Sequence, residues 1–174
     1  VLRWLQASRV EFVLVGPVAE AIRGNRQAKG PVAAVPAPYV RNYERLARAL
    51  WTAHARLRID VDSGAGADTM PVKMTGEKLA RSQRWTFRCG AHDIDVEGHS
   101  PAGPGYQELL YEASRFELGE GLAVEVASPE DIEHYAHMQR TGTAPEMRIR
   151  RAPASDARPP TGNGAATSQD SSPA

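Results

Sequence analysis

Glu11-Phe12-Val13-Leu14-Val15-Gly16-Pro17, followed further on by Val32-Ala33-Ala34-Val35, is the stretch that decides the fold. From Phe12 to Val15 every side chain is apolar, as expected of a strand covered on both faces. Gly16-Pro17 interrupts the run, and Val18, Ala19 and Ile22 then share one side of a short helix that Gly24 can close. Val32 to Val35 reads as a second strand, broken by Pro36 and Pro38. A strand, a glycine turn, a short helix and another strand make an α/β opening.

Working outward, residues 1 to about 8 resemble the end of a helix, with Leu2 and Leu5 three apart. Residues 39–54 give the clearest helical pattern: Tyr43, Leu46 and Leu50 recur on one side, while Arg41, Arg45 and Arg48 form an exposed stripe. Asn42 and Glu44 read as solvated surface. From Asp60 to Lys78 the pattern dissolves into Gly, Ala, Ser, Thr and Pro, which predicts a long loop. Residues 84–89 and 91–96 predict a hairpin about Gly90, with alternation in Trp85, Phe87, Cys89 and in Ile94, Val96. A loop over 100–105, a short helix over 106–113 and strand-like pieces at 115–118 and 122–126 follow. Ser128-Pro129-Glu130-Asp131 is a helix start, since Ser caps, Pro fits the first turn and the acids face the positive end of the dipole. Residues 152–174 contain no Val, Leu, Ile or aromatic residue, so a disordered tail is expected there. The expectation is one α/β (α+β) domain over 1–151, a mixed sheet flanked by helices, and a tail over 152–174.

The bulk numbers narrow the function classes. The chain has 174 residues, which suits one core, and 21 basic against 21 acidic side chains. That balance gives no net field for nucleic acid or an anionic membrane, so neither is an expected partner. Arg148, Arg150 and Arg151 form a short basic cluster without interleaved aromatics, and read as a solvated helix end. Cys89 is the single cysteine, so no internal disulfide can form; its alternating context makes it a small buried apolar residue. No apolar run approaches the ~20 residues that span a bilayer, and Val1 to Leu5 lacks the apolar stretch of a signal peptide. A cytoplasmic protein is the expectation.

The opening block is similar to that of the nucleotidyltransferase superfamily, in particular its small bacterial minimal and AbiEii-type members. Three later blocks, in the same order as in that family, extend the resemblance over roughly residues 2 to 140: Asp93-Ile94-Asp95-Val96, Tyr106-x-Glu108-Leu109-Leu110, and Val124-x-Val126-Ala127-Ser128-Pro129-Glu130-Asp131. The resemblance implies a glycine turn that admits phosphate at Gly16, an arginine at Arg26, an Asp-x-Asp pair on the second strand and a third metal-binding carboxylate, best matched by Asp95. Counting without gaps from Gly16 places the paired aspartates at Pro31 and Ala33, neither of which can bind a metal. The family chemistry needs those acids because two divalent ions hold the triphosphate and lower the pKa of the attacking hydroxyl, and hard cations require anionic oxygen. Pro17 also removes one backbone donor from the turn.

The resemblance therefore implies a degenerate member that binds a nucleotide or a protein partner without catalysis. Its site residues would be Gly16 and Arg26 for nucleotide and Asp95 for a residual cation, with no catalytic residue assigned and no cofactor expected. One alternative is an active enzyme that uses Mg²⁺ with acids from the long loop, Asp60, Asp62 or Asp68. Another is an interaction module of toxin–antitoxin type. Each candidate also has a plain reading. Gly16 fits a tight turn, and Asp93 and Asp95 fit solvent-facing positions on an alternating strand. His134 and His137, three apart on one helical face, could ligate a metal but lack a third ligand nearby in sequence.

Overall fold

The computed structural model describes residues 1–59, 68–81, 84–98 and 103–141. Helix α1 (Leu2–Ala7) leads into strand β1 (Phe12–Val15), helix α2 (Gly16–Ile22) and strand β2 (Val32–Pro36). Helix α3 (Val40–Thr52) is followed by strands β3 (Arg56–Ile59) and β4 (Asp68–Pro71) and helix α4 (Gly76–Arg81). The hairpin β5 (Arg84–Cys89) and β6 (His92–Glu97), helix α5 (Tyr106–Glu112), strands β7 (Ser114–Glu117) and β8 (Ala123–Val126) and helix α6 (Pro129–Thr141) complete the order.

All these strands form one mixed eight-stranded sheet, ordered β4-β3-β5-β6-β2-β1-β8-β7. β2 runs antiparallel to β1 and parallel to β6, and β8 runs parallel to β1. Strands β6, β2 and β1 are adjacent at the centre of the sheet. The hairpin turns at Gly90, whose φ of +62° lies in the left-handed region where glycine is favoured.

Alternation along the strands sorts side chains onto two faces. Phe12, Leu14, Val32, Ala34, Ile94, Val96 and Phe87 share one face by register. It is covered by Leu5 of α1, by Tyr43, Leu46 and Leu50 of α3 and by Leu79 of α4. On the opposite face Val13, Val15, Ala33 and Val35 pack with Ala19 of α2, Leu109 of α5 and Ile132 and Tyr135 of α6. The central strands are thus buried on both sides, which is why β1 lacks any polar residue between Phe12 and Val15.

Three expectations are corrected. The stretch read as a loop over 60–78 contains β4, and α4 begins within it; α4 contributes Leu79, fully buried. With a single buried apolar side chain, so short a helix shows no periodicity. Asn42 is not solvated surface. It is 0 % exposed, and its side chain binds the backbone of Glu11 in both directions (2.8 Å each) and the carbonyl of Ala37 (3.0 Å). A buried amide is tolerated because its donors and acceptor are matched. Arg45, placed on the exposed stripe, is half-buried and donates to the carbonyl of Arg9 (3.1 Å).

The start of α6 follows the capping pattern: Ser128 Oγ accepts from the Asp131 N–H (3.1 Å) and donates to the Asp131 carboxylate (2.9 Å). Among the described residues no helix is long and apolar enough to cross a membrane. The tail expected over 152–174, and the cluster Arg148, Arg150 and Arg151, lie outside the described residues.

Candidate functional site

The turn from β1 into α2 is held by Gly16, with φ +69°. A Cβ built there would stand 3.0 Å from the Cβ of Ala33, so both the backbone conformation and the packing require glycine. The next residue is wedged as well. A Cβ at Gly30 would fall 2.6 Å from Cγ of Pro17, which means the proline ring lies directly on the segment entering β2.

Ala33 is in register with Asp95 on the neighbouring parallel strand β6, so Gly16, Ala33 and Asp95 follow one another across the sheet. Ala33 is fully buried, and Pro31 precedes the strand; neither side chain carries a donor or acceptor. Asp95 is 1 % exposed. One of its carboxylate oxygens accepts from Arg84 (2.6 Å) and the other from the Thr86 hydroxyl (2.8 Å), both on β5. It is therefore neither solvent-facing nor open to a ligand as it stands.

Its neighbours on β6 are bonded in the same manner. Asp93 accepts from Arg88, through Nε and a terminal nitrogen, and from Arg58 of β3 (2.6 Å). The hydrogen bond from Arg88 is the largest cause that holds the Asp93 carboxyl below its ordinary value; burial opposes it, and the bond from Arg58 adds to the lowering. Glu97 meets Arg84 Nε at 3.3 Å and accepts from Gln139 of α6 (3.2 Å), yet its pKa is raised, with burial as the leading cause. Register places Arg84, Thr86 and Arg88 opposite Glu97, Asp95 and Asp93 in turn. This ladder was legible as two alternating runs, Arg-x-Thr-x-Arg and Asp-x-Asp-x-Glu; that they face each other depends on the hairpin register.

The remaining candidates do not join this group. Arg26 is exposed in the turn after α2, where its N–H bonds the Gly24 carbonyl, and no described hydrogen bond or ion pair links it to Gly16 or Asp95. Asp60 and Asp62 lie outside the described residues. Asp68 opens β4 at the sheet edge, four strands from β2 and so roughly 19 Å away at ~4.8 Å per strand. His134 and His137 both lie on α6, and among the described residues no group of three or more His, Cys, Asp or Glu is placed to hold a metal. Among the described residues the donor set of a two-metal nucleotidyl transfer does not assemble. Cys89 is half-buried against the α3 side of the core, and burial pushes its thiol up.

Several hollows adjoin the sheet, two of which bear on the candidates. One, of about 710 Å³, is lined by Val18, Gly30, Pro31, His92 and Asp93 among others. The other, about 430 Å³, lies between the end of α3 and the β4–α4 segment, with Trp51, His54, Pro71 and Met74 in its wall.

No protein-family model matches this sequence, and no match was found among curated proteins.

Proposed function

We propose that this chain is a cytoplasmic, nucleotidyltransferase-type scaffold that binds a ligand, a nucleotide or a protein partner, without transferring a nucleotide. The observation that carries the reading is the pairing of Ala33 with Asp95. Where the family resemblance implies an aspartate, a methyl group is packed beneath Gly16. The neighbouring carboxylate spends both oxygens on Arg84 and Thr86. A carboxylate already neutralised by a guanidinium binds Mg²⁺ poorly, because the cation must displace a charge-assisted hydrogen bond. Incubation of the purified protein with each ribonucleoside triphosphate and Mg²⁺ or Mn²⁺ should release no pyrophosphate. Turnover abolished by Asp95→Asn would overturn the reading and restore the enzyme.

One observation favours a protein as the partner. Trp51, 68 % exposed, borders the groove at the end of α3, and an indole beside a hollow is a common anchor for a protein contact. Co-expression with the product of the adjacent gene tests this: a complex that forms and is lost on Trp51→Ala supports the interaction module, and no complex removes it.

A further inference from the structure

We propose that the edge strand β7 pairs with β7 of a second copy of this chain, antiparallel and centred on Phe116, so that two sheets join across a two-fold axis. The surface is separate from the Gly16 turn and from the Trp51 groove.

β7 closes one end of the sheet, and the hydrogen bonds around it fix which of its groups face outward. Leu118 donates to Leu122 across the hairpin (2.8 Å), and Ala127, next after β8, donates to Leu14 of β1 (3.0 Å). Bonded and unbonded pairs alternate along an antiparallel ladder, so Phe116–Val124 and Ser114–Val126 are bonded pairs, whereas Arg115–Glu125 and Glu117–Ala123 are not. The N–H and C=O groups of Arg115 and Glu117 therefore point away from β8, along an edge where both residues are exposed. The other end of the sheet is blunted, because β4 ends on Pro71, which has no N–H to offer a further strand. β7 contains no proline. Arg23 also holds β7 in place: it bonds Ser114 Oγ (3.2 Å) and lies 5.3 Å from the centre of the Phe116 ring. The edge is thus ordered before a partner arrives.

Charge selects the alignment. Centred on Arg115, a two-fold axis sets Arg115 against itself; centred on Glu117, it sets Glu117 against itself, and like charges directly opposite one another are destabilising. Centred on Phe116, Arg115 faces Glu117 of the second copy and Glu117 faces its Arg115. Both outward pairs then exchange their backbone bonds and carry unlike charges. Phe116 meets its own counterpart at the unbonded position between them, where side chains approach closest and an aromatic pair is favourable. Leu118, 37 % exposed, falls opposite Ser114. Within one chain Arg115 already meets Glu117 (3.4 Å) and Glu125 (3.1 Å), but the first of these pairs is 61 % and 69 % exposed and is worth little, so exchanging it between copies costs little.

Two strands of four residues bury less than the ~1,000 Å² of a tight interface, so a weak, concentration-dependent dimer is expected. Sedimentation velocity of the full chain over a concentration series measures it. Arg115→Glu and Glu117→Arg should each weaken self-association at least about tenfold, because either one makes both facing pairs like-charged. Mixed in equal amounts, the two variants should associate again, since one then offers two cations and the other two anions at the facing positions. Glu117→Pro removes an outward N–H and no bond to β8, so it should abolish the dimer in a chain that melts like the wild type. Wild type that stays monomeric throughout the series overturns the inference, as does a dimer that survives both Glu117→Arg and Glu117→Pro. A mixture that stays monomeric, with thermal melts showing both variants folded, overturns the alignment on Phe116. None of these failures touches the non-catalytic reading, which falls only if nucleotide turnover is found.

Discussion

The two halves of the sheet are built on different terms. Around β1 and β2 the strands are apolar on both faces and helices cover each side, and Gly16, Pro31 and Ala33 carry no polar side chain. From β6 outward to β3, one face still packs on α3 and α4, while the other bears guanidinium and carboxylate groups in cross-strand pairs. The inner half has shape without chemistry, and the outer half has charge on a surface that solvent can reach.

The contrast is broken or sharpened by substitutions in each half. Leu14→Ala, in the doubly covered strand, should cost about 2–5 kcal/mol in urea unfolding, since the cavity it opens has helices on one side and β strands around it. A cost below about 1 kcal/mol would mean that the centre is loosely packed. Asn42→Ala should cost about 2 kcal/mol, because it strands backbone groups of Glu11 and Ala37 in the interior. In the outer half, Asp95→Asn should cost only about 1 kcal/mol: the amide can still accept from Thr86, and the exposed Arg84 can turn to water.

Acidity distinguishes two carboxylates on the same strand. Asp93, with its folded pKa lowered from 3.8, contributes stability that is present above that value and is lost as pH falls through the folded pKa. Glu97, raised from 4.5, works the other way: its contribution is full below 4.5 and is lost as pH rises through its folded pKa. Unfolding midpoints from pH 2.5 to 7 should therefore lose part of their acid sensitivity in Asp93→Asn, and part of their decline above pH 4.5 in Glu97→Gln. The smallest effect is expected at Arg26→Ala, within about 0.5 kcal/mol, because the side chain is exposed.

The sequence made the inner half legible because its signals are local. Phe12 to Val15, the helix periodicity at Tyr43, Leu46 and Leu50, and the Ser128 cap each declare themselves within a few residues. β4 and α4 escaped because each is short, and α4 buries a single leucine among polar residues. Asn42 escaped for a different reason. It stands four residues before Leu46, on the buried side, but a polar residue there is ordinarily read as surface. The site was half legible: Asp95 could be placed on its strand, whereas its bonds to Arg84 and Thr86 come from pairing that no single run encodes. Arg26 was carried by resemblance alone, and the fold leaves it on the surface.

The Asn42 contact also gives the molecule a built-in reporter. Glu11 precedes β1, and its amide proton is held by the Asn42 side chain instead of a strand partner. For deuterium to reach that amide, helix α3 must draw away from the start of β1. Its exchange rate therefore times the undocking of one helix, separately from the exchange of the amides between β1 and β2, which are held within the sheet.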